Sequence, residues 1–372
     1  GESAQMDDAS ALLLFTLLAI ALVVVVKAQL ALGRARRSLL SYPESDLSKP
    51  LPPAVRLEDV ENFLAKRDEA AKPIRAANNS AVIWADKYKG RQAPLVVVFI
   101  HGWSASPLEI FPVDSRLAAA FGAHLLRFRL SGHGVFPPER ASRELNETAT
   151  RENLMRDVAT AFALGKLLGS RVVLLGVSMG GALASWLAAQ SWARSHIVAL
   201  GLISPCFGLS PGKALGMYDL LKWVGPLTSR QVYAQMIRWV RDSVTRLGTQ
   251  RTPSQREIQS RFWTMEYPSE STYNAIAVFL TAELQVSKEA KALRMPILVI
   301  RNPEDDAASA FVCERTLRGA PKLKYIDMHI EGGEHNIAGE ICAPARVDET
   351  AEWLIAWLEK ALQRRRKDVT ST

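Results

Sequence analysis

Seven short aliphatic runs recur along the chain: AVIWA (81–85), LVVVFIH (95–101), HLLRFRL (124–130), RVVLLGV (171–177), IVALGLIS (197–204), MPILVIR (295–301) and KYIDMHI (324–330). Between them lie stretches with helical periodicity, among them Glu152 to Leu168, Met179 to Trp192 and Val347 to Leu362. Strands that are apolar on both faces and alternate with helices predict an α/β fold, a mostly parallel central sheet flanked by helices. The two parts of this core run from 78 to 204 and from 293 to 363. The interval from 205 to 292 breaks the rhythm. Met217, Leu220, Leu221 and Val224, then Tyr233, Met236, Ile237, Val240 and Val244, recur at helical spacing, which predicts a helical cap, without strands, inserted before the sixth run.

The pattern ahead of the sheet is different. GESAQ reads as a tag remnant before a start at Met6, within an N-terminal stretch of 1–10. From Ala11 to Val26 only Thr16 is not apolar. With Lys27 snorkelling, the run extends through 33 to the length of about 20 residues that a bilayer requires. Residues 11–33 are therefore expected to form a membrane anchor helix. Asp7 and Asp8 precede it while Lys27, Arg34, Arg36 and Arg37 follow, which places the body on the cytoplasmic side as a single-pass protein. The alternative is a signal peptide cut after ALG (31–33), leaving a periplasmic or secreted product. Residues 34–77 then hold a basic, proline-rich linker, SYPESDLSKPLPP (41–53), and a surface helix within RLEDVENFLAKRDEAAK (56–72).

A chain of 372 residues, 48% of them hydrophobic, can bury a core of its own. The net charge of +8 owes most to RARR (34–37), the arginines between Arg230 and Arg261, and RRRK in the basic tail 364–372. No basic surface interleaved with aromatics accompanies it, so an anionic membrane face fits better than nucleic acid. Trp223, Trp239 and Trp263 among those arginines fit either a lid at a lipid surface or helices packed on the sheet edge, the second being favoured. Cys206, Cys313 and Cys342 have neither disulfide-framework nor zinc spacing. Metal is not expected, since HExxH is absent, and Gly180 and Gly181 are not followed by the Lys and Ser or Thr of a phosphate loop. No cofactor is implied, and oligomeric state is not legible.

One junction carries chemistry. VVLLGVSMGGALASWLA (172–188) runs a buried strand into Gly-Val-Ser-Met-Gly and out as a small-residue helix. A serine on such a turn, Ser178, is displayed at the carboxyl edge of the sheet. Gly176 and Gly180 remove side chains that would collide with the adjacent strand and helix. The Met179 N–H at the helix start faces any oxyanion formed at the serine, and the His-Gly turn of VVVFIHGWSAS supplies a second donor, the Trp103 N–H. A serine nucleophile needs a base and an acid to orient it. The sixth run ends in a loop with Glu304, Asp305 and Asp306, and the seventh in a glycine-rich loop with His335, so the order Ser178, Asp305, His335 is the order this architecture requires.

HGWSASPLE, RLSGHG, GVSMGG, GLISP, NPEDD and GGEHN, in that order, resemble the α/β-hydrolase superfamily, specifically its carboxylesterase and monoacylglycerol-lipase-like branch, over about 78–363. The resemblance implies that Ser178 is the nucleophile, His335 the general base and Asp305 the orienting acid, with Trp103 and Met179 as oxyanion donors and His101 and His133 as structural neighbours. Where relatives usually end the strand before the acid in a His-Gly-type turn, this chain has Arg301, Asn302 and Pro303, so Asp306 stays an alternative to Asp305. The activity implied is cleavage of lipophilic or acylglycerol-like carboxylic esters. An amidase, thioesterase or lactonase with the same triad, or a non-catalytic receptor or interaction module on this scaffold, are the alternatives.

Overall fold

The computed structural model describes residues 47–210, 244–247 and 251–370, with isolated positions at 26, 30, 33, 233 and 235; side chains are described through 363. All seven aliphatic runs form strands of one sheet. In chain order the strands are β1 (Ala81–Ile83), β2 (Val96–Ile100), β3 (His124–Phe128), β4 (Val172–Val177) and β5 (Ile197–Ile203), then β6 (Val244–Arg246) and β7 (Glu266–Pro268), and finally β8 (Ile297–Arg301) and β9 (Leu323–Asp327). The large sheet has the order β1-β3-β2-β4-β5-β8-β9. Every neighbouring pair is parallel except β1 with β3.

Alternate residues of the central strands feed two separate apolar layers, the reason these strands read as continuous hydrophobic runs. Val96, Val98 and Ile100 of β2 pack in one layer and Val97 and Phe99 in the other. The helices follow in chain order as α1 (Val60–Glu69), α2 (Val113–Ala120), α3 (Pro138–Glu147), α4 (Arg151–Leu168), α5 (Met179–Ala189), α6 (Ser191–Arg194), α7 (Pro253–Ser260), α8 (Thr272–Glu289), α9 (Ala310–Leu317) and α10 (Val347–Thr370). Residues of α1, α4, α5 and α8 cover the first layer, and residues of α2 and α10 the second. The chain predicted as one helix from Met179 to Trp192 divides at Gln190, whose extended backbone (φ −75°, ψ 133°) interrupts the helical course.

Three expectations are corrected. The 205–292 insertion does contain strands: β6 and β7 form an antiparallel ribbon, so Val244, assigned to a helical stripe, lies in a strand. Thr245 points inward, with its Oγ1 2.8 Å from Ser269 Oγ, while the flanking Arg246 pairs with Glu266 across the ribbon at 3.5 Å; a three-residue alternation is too short to outweigh the helical spacing before it. The last helix of the insertion, α8, packs against α4, α5 and α9 as part of the helical layer. The linker 41–53 is not wholly free of the body, because Leu47 is buried in the first apolar layer beside Val60 and Leu64.

The predicted anchor, 11–33, the linker before 47, and Trp223 and Trp239 lie outside the described residues, apart from 26, 30 and 33, each helical. Among the described residues no helix is long and apolar enough to cross a membrane. Trp263 lies in the turn after α7, buried in a small cluster with Ala105 and Cys342.

Among the described glycines the tightest crossing lies at Gly180, where a Cβ would sit 2.1 Å from the Ile100 carbonyl oxygen at the end of β2. Backbone cannot yield there as a side chain can. Gly180→Ala is expected to destabilise the fold by about 3 kcal/mol or more, measured by urea unfolding. A loss below about 0.5 kcal/mol, the range of ordinary surface substitutions, would contradict this crossing.

Candidate active site

The turn between β4 and α5 places Ser178 at φ 51° and ψ −118°, a strained conformation for a residue with a Cβ. It is held from three sides. Ser178 N donates to the Ile203 carbonyl of β5, the Ser178 carbonyl accepts from Cys206 N and Gly181 N, and Gly176 leaves room where a Cβ would meet the Gly180 carbonyl oxygen at 2.5 Å. The side chain is thus pushed out at the carboxyl edge of the sheet.

His335 arrives on the loop after β9, turned by Gly332 and Gly333, both at positive φ. Its Nε2 lies 2.8 Å from Ser178 Oγ and its Nδ1 2.6 Å from Asp305 Oδ2. Asp305 is held in turn: its Oδ1 accepts from the N–H groups of Ala307 and Ala308, each at 2.8 Å. The Asp306 N–H donates to the Gly333 carbonyl at 2.9 Å. It is thus the Asp305 carboxylate that the structure places against His335 Nδ1. Asn302, fully buried, bonds the two loops together, its Nδ2 donating to the carbonyls of Ile330 (3.1 Å) and Glu334 (3.2 Å). The departure from the usual His-Gly turn at 301–303 thus supplies the clamp that sets the spacing of acid and base.

The opposite wall is the His101-Gly102-Trp103 turn after β2. His101 Nε2 accepts from Leu130 N at 3.1 Å. Its Nδ1 must then carry the proton, donated to the Gly102 carbonyl at 2.9 Å. That bond fixes the 102–103 peptide and hence the direction of the Trp103 N–H. Neither that N–H nor the Met179 N–H is engaged by the turn hydrogen bonds among the described residues. His133 sits edge-on to His101 and Trp103, with centroids 5.0 and 5.6 Å away. His124 is structural, bonded to Ala85 N and the Arg91 carbonyl.

A cavity of about 630 Å³ opens over these groups, walled by Leu209, Leu247, Trp263, Tyr267, Ile276 and Phe279 among others. Tyr267, brought in by the ribbon, meets the Trp103 ring edge-on at 6.1 Å. Burial, the largest single influence, would lower the His335 pKa, but the Asp305 carboxylate bonded to it, together with Glu109 and Asp306, holds the pKa above the usual imidazole range. Burial drives His101 well below that range and His133 down to about 4, so both stay neutral. One buried acid on the cavity wall was not singled out from sequence: Glu109 accepts from Gly102 N at 2.6 Å, and burial pushes its pKa up to about 7. The signal was a lone carboxyl in the otherwise apolar SPLEIFPV (106–113). Among the described residues no group of three or more His, Cys, Asp or Glu is placed to hold a metal ion.

An oriented hydroxyl, an imidazole fixed by a buried carboxylate and two N–H groups from facing turns can together attack a carbonyl and stabilise the resulting oxyanion. The family model for the "Alpha/beta hydrolase family" matches residues 97–350. The chain belongs to the alpha/beta hydrolase family. Among solved structures, the hydrolase is similar to one reported for LipS and LipT, two metagenome-derived lipolytic enzymes (16% identity, 77% of this chain and 99% of that chain, TM-score 0.56). It is also similar to the monoacylglycerol lipase of Paleococcus ferrophilus (16% identity, 74% and 98% of the two chains, TM-score 0.50). At such identity the likeness is one of fold. No curated protein matches the chain significantly.

The choice of acid is checked through the imidazole itself. In Asp305→Asn the His335 pKa, read by NMR titration, is expected to fall below the ordinary imidazole value, since burial is then opposed by weaker charges only. Asp306→Asn should move it far less. Equal shifts in the two variants would overturn the assignment.

Proposed function

We propose that this hydrolase cleaves carboxylic esters through an acyl-enzyme on Ser178. The observation that carries the reading is the continuous chain Asp305 Oδ2, His335 Nδ1, His335 Nε2, Ser178 Oγ, with contacts of 2.6 and 2.8 Å. Ser178 Oγ attacks the ester carbonyl as His335 Nε2 takes its proton. The N–H groups of Trp103 and Met179 receive the oxyanion. His335 returns the proton to the departing alkoxide, leaving the acyl group on Ser178. Water, deprotonated by the same imidazole, then releases the carboxylic acid. Asp305 keeps the Nδ1–H tautomer and balances the imidazolium.

The apolar cavity wall of Leu209, Leu247, Ile276 and Phe279 supports a lipophilic acyl chain as the preferred substrate. The two similarly folded proteins, named as lipolytic enzymes and a monoacylglycerol lipase, agree with that class. The apolar run 11–26 followed by Lys27, Arg34, Arg36 and Arg37 further supports attachment of the body to the cytoplasmic face of a membrane, where such substrates partition.

Two measurements test this. With p-nitrophenyl esters of increasing acyl length, the wild type should turn over and show a preferred length, whereas Ser178→Ala should lose about 10⁴ to 10⁶ in kcat while still folded; a loss under tenfold removes Ser178 from the role. In a cell fractionation, the full chain should sediment with membranes and resist carbonate extraction, while a chain lacking residues 1–40, which spares the buried Leu47, should move to the supernatant. Equal partitioning of the two would dismiss the anchor.

A further inference from the structure

The ester mechanism uses one carboxylate, Asp305, yet among the carboxyls that line the cavity Glu109 is buried in its wall with no task in that mechanism. Glu109 is 4% exposed. Its Oε2 accepts from Gly102 N at 2.6 Å. Its Oε1 has no hydrogen-bond partner among the described residues and is not sealed in the protein, so it faces the cavity. A methyl group built on Gly102 would lie 3.0 Å from that Oε1 and 3.2 Å from Ser178 Cβ. The carboxyl oxygen and the nucleophile therefore flank the same glycine, on the wall where the oxyanion forms.

We infer that Glu109 is an ionisable gate of this active site: the neutral acid presents an Oε1–H donor to the cavity beside Ser178, and loss of that proton shuts down turnover. The inference rests on the serine-hydrolase reading. Two physical effects run the same way. A carboxylate at this position opposes a second negative charge developing on the oxyanion beside it. It also favours the imidazolium of His335, and a protonated imidazole cannot take the serine proton. A neutral acid held for use as a donor is an established device in other enzymes.

The groups that set the proton affinity are few. Burial raises it, while the Gly102 N–H and the positive charge of His335 lower it, leaving the pKa at about 7. Cys342 faces Glu109 from the segment after His335 and is itself pushed up to about 12 by burial. Arg246, Arg251, Asp306, Glu331 and Glu334 stand on the wider cavity wall. Arg251 is turned to Glu334 at 3.4 Å and to the Cys342 carbonyl at 3.1 Å.

Glu109→Gln separates the gate from a merely structural role, because its amide oxygen can still accept from Gly102 N while its NH₂ donates but cannot ionise. For the wild type, kcat/KM on a p-nitrophenyl ester should rise with pH as His335 loses its proton. Above about pH 7 it should fall, approaching tenfold per pH unit. E109Q should keep the rise and lose the fall. Glu109→Ala, which lacks the donor, should lose about 10²-fold or more in kcat.

Urea unfolding supplies a readout independent of turnover. The folded-state pKa of Glu109 lies above its unfolded value, so the wild type should lose stability relative to E109Q as pH rises from about 4.5 to 7, with the gap then levelling. A flat wild-type profile above pH 7, an alkaline fall retained by E109Q, or urea midpoints that shift in parallel would each overturn the gate. Wild-type protein inert at every pH would instead remove the hydrolase reading, and the gate with it.

Discussion

Everything at this site hangs on the crossing of β4, α5 and the end of β2 around Ser178. Gly180 brings the first turn of α5 against the backbone of Ile100 and His101, and Gly176 lets the strand end pass under the helix start. The residue between them has no relaxed conformation available and sits at φ 51°. That strain is tolerated because hydrogen bonds to Ile203 and Cys206 and a fully buried helix hold the turn. The same compression that displays the hydroxyl also sets the Met179 N–H and the His101-Gly102-Trp103 turn on one side of it. The displayed hydroxyl and the two N–H groups proposed as its oxyanion donors thus share one structural cause.

His335 and Asp305, the proposed base and its acid, come from elsewhere, on two loops that share no strand pairing beyond the β8–β9 edge. Asn302 fixes their separation, and the backbone amides of Ala307 and Ala308 fix the carboxylate. Beneath the oxyanion turn, buried neutral His101 and His133 and the Arg129–Asp68 pair at 2.9 Å hold the SGHG turn in place. Arg129 also donates to the His133 carbonyl at 3.0 Å. A buried ion pair of this kind gives geometry more than stability. Rigid support of this kind beneath the site is what electrostatic preorganisation demands.

Much of this was legible in the residues. The five inner strands of the large sheet could be read because each is covered on both faces and so is rich in Val, Ile, Leu and Phe, whereas the partly exposed edge strands β1 and β9 are marked only by short aliphatic runs. The elbow could be read because only glycine fits at 176 and 180. Asp305 and Asp306 could not be separated by sequence, since both sit in one loop and the choice depends on which carboxylate the Ala307 and Ala308 amides capture. The ribbon of Val244–Arg246 and Glu266–Pro268 was hidden by its length: three residues cannot show a period. Glu109 was missed because burial, the property that makes it unusual, belongs to the folded chain and not to the HGWSASPLE motif in which it stands. Leu47 escaped for a similar reason, lying among prolines and polar residues while its own side chain joins the core.

The most direct test of a nucleophilic Ser178 is chemical capture. Full-length protein treated with a fluorophosphonate should gain the mass of a single phosphonyl group, mapped by peptide sequencing to Ser178, and His335→Ala should react far more slowly because the hydroxyl loses its base. A folded wild-type protein that stays unmodified, or carries the adduct on another residue, would contradict the central claim.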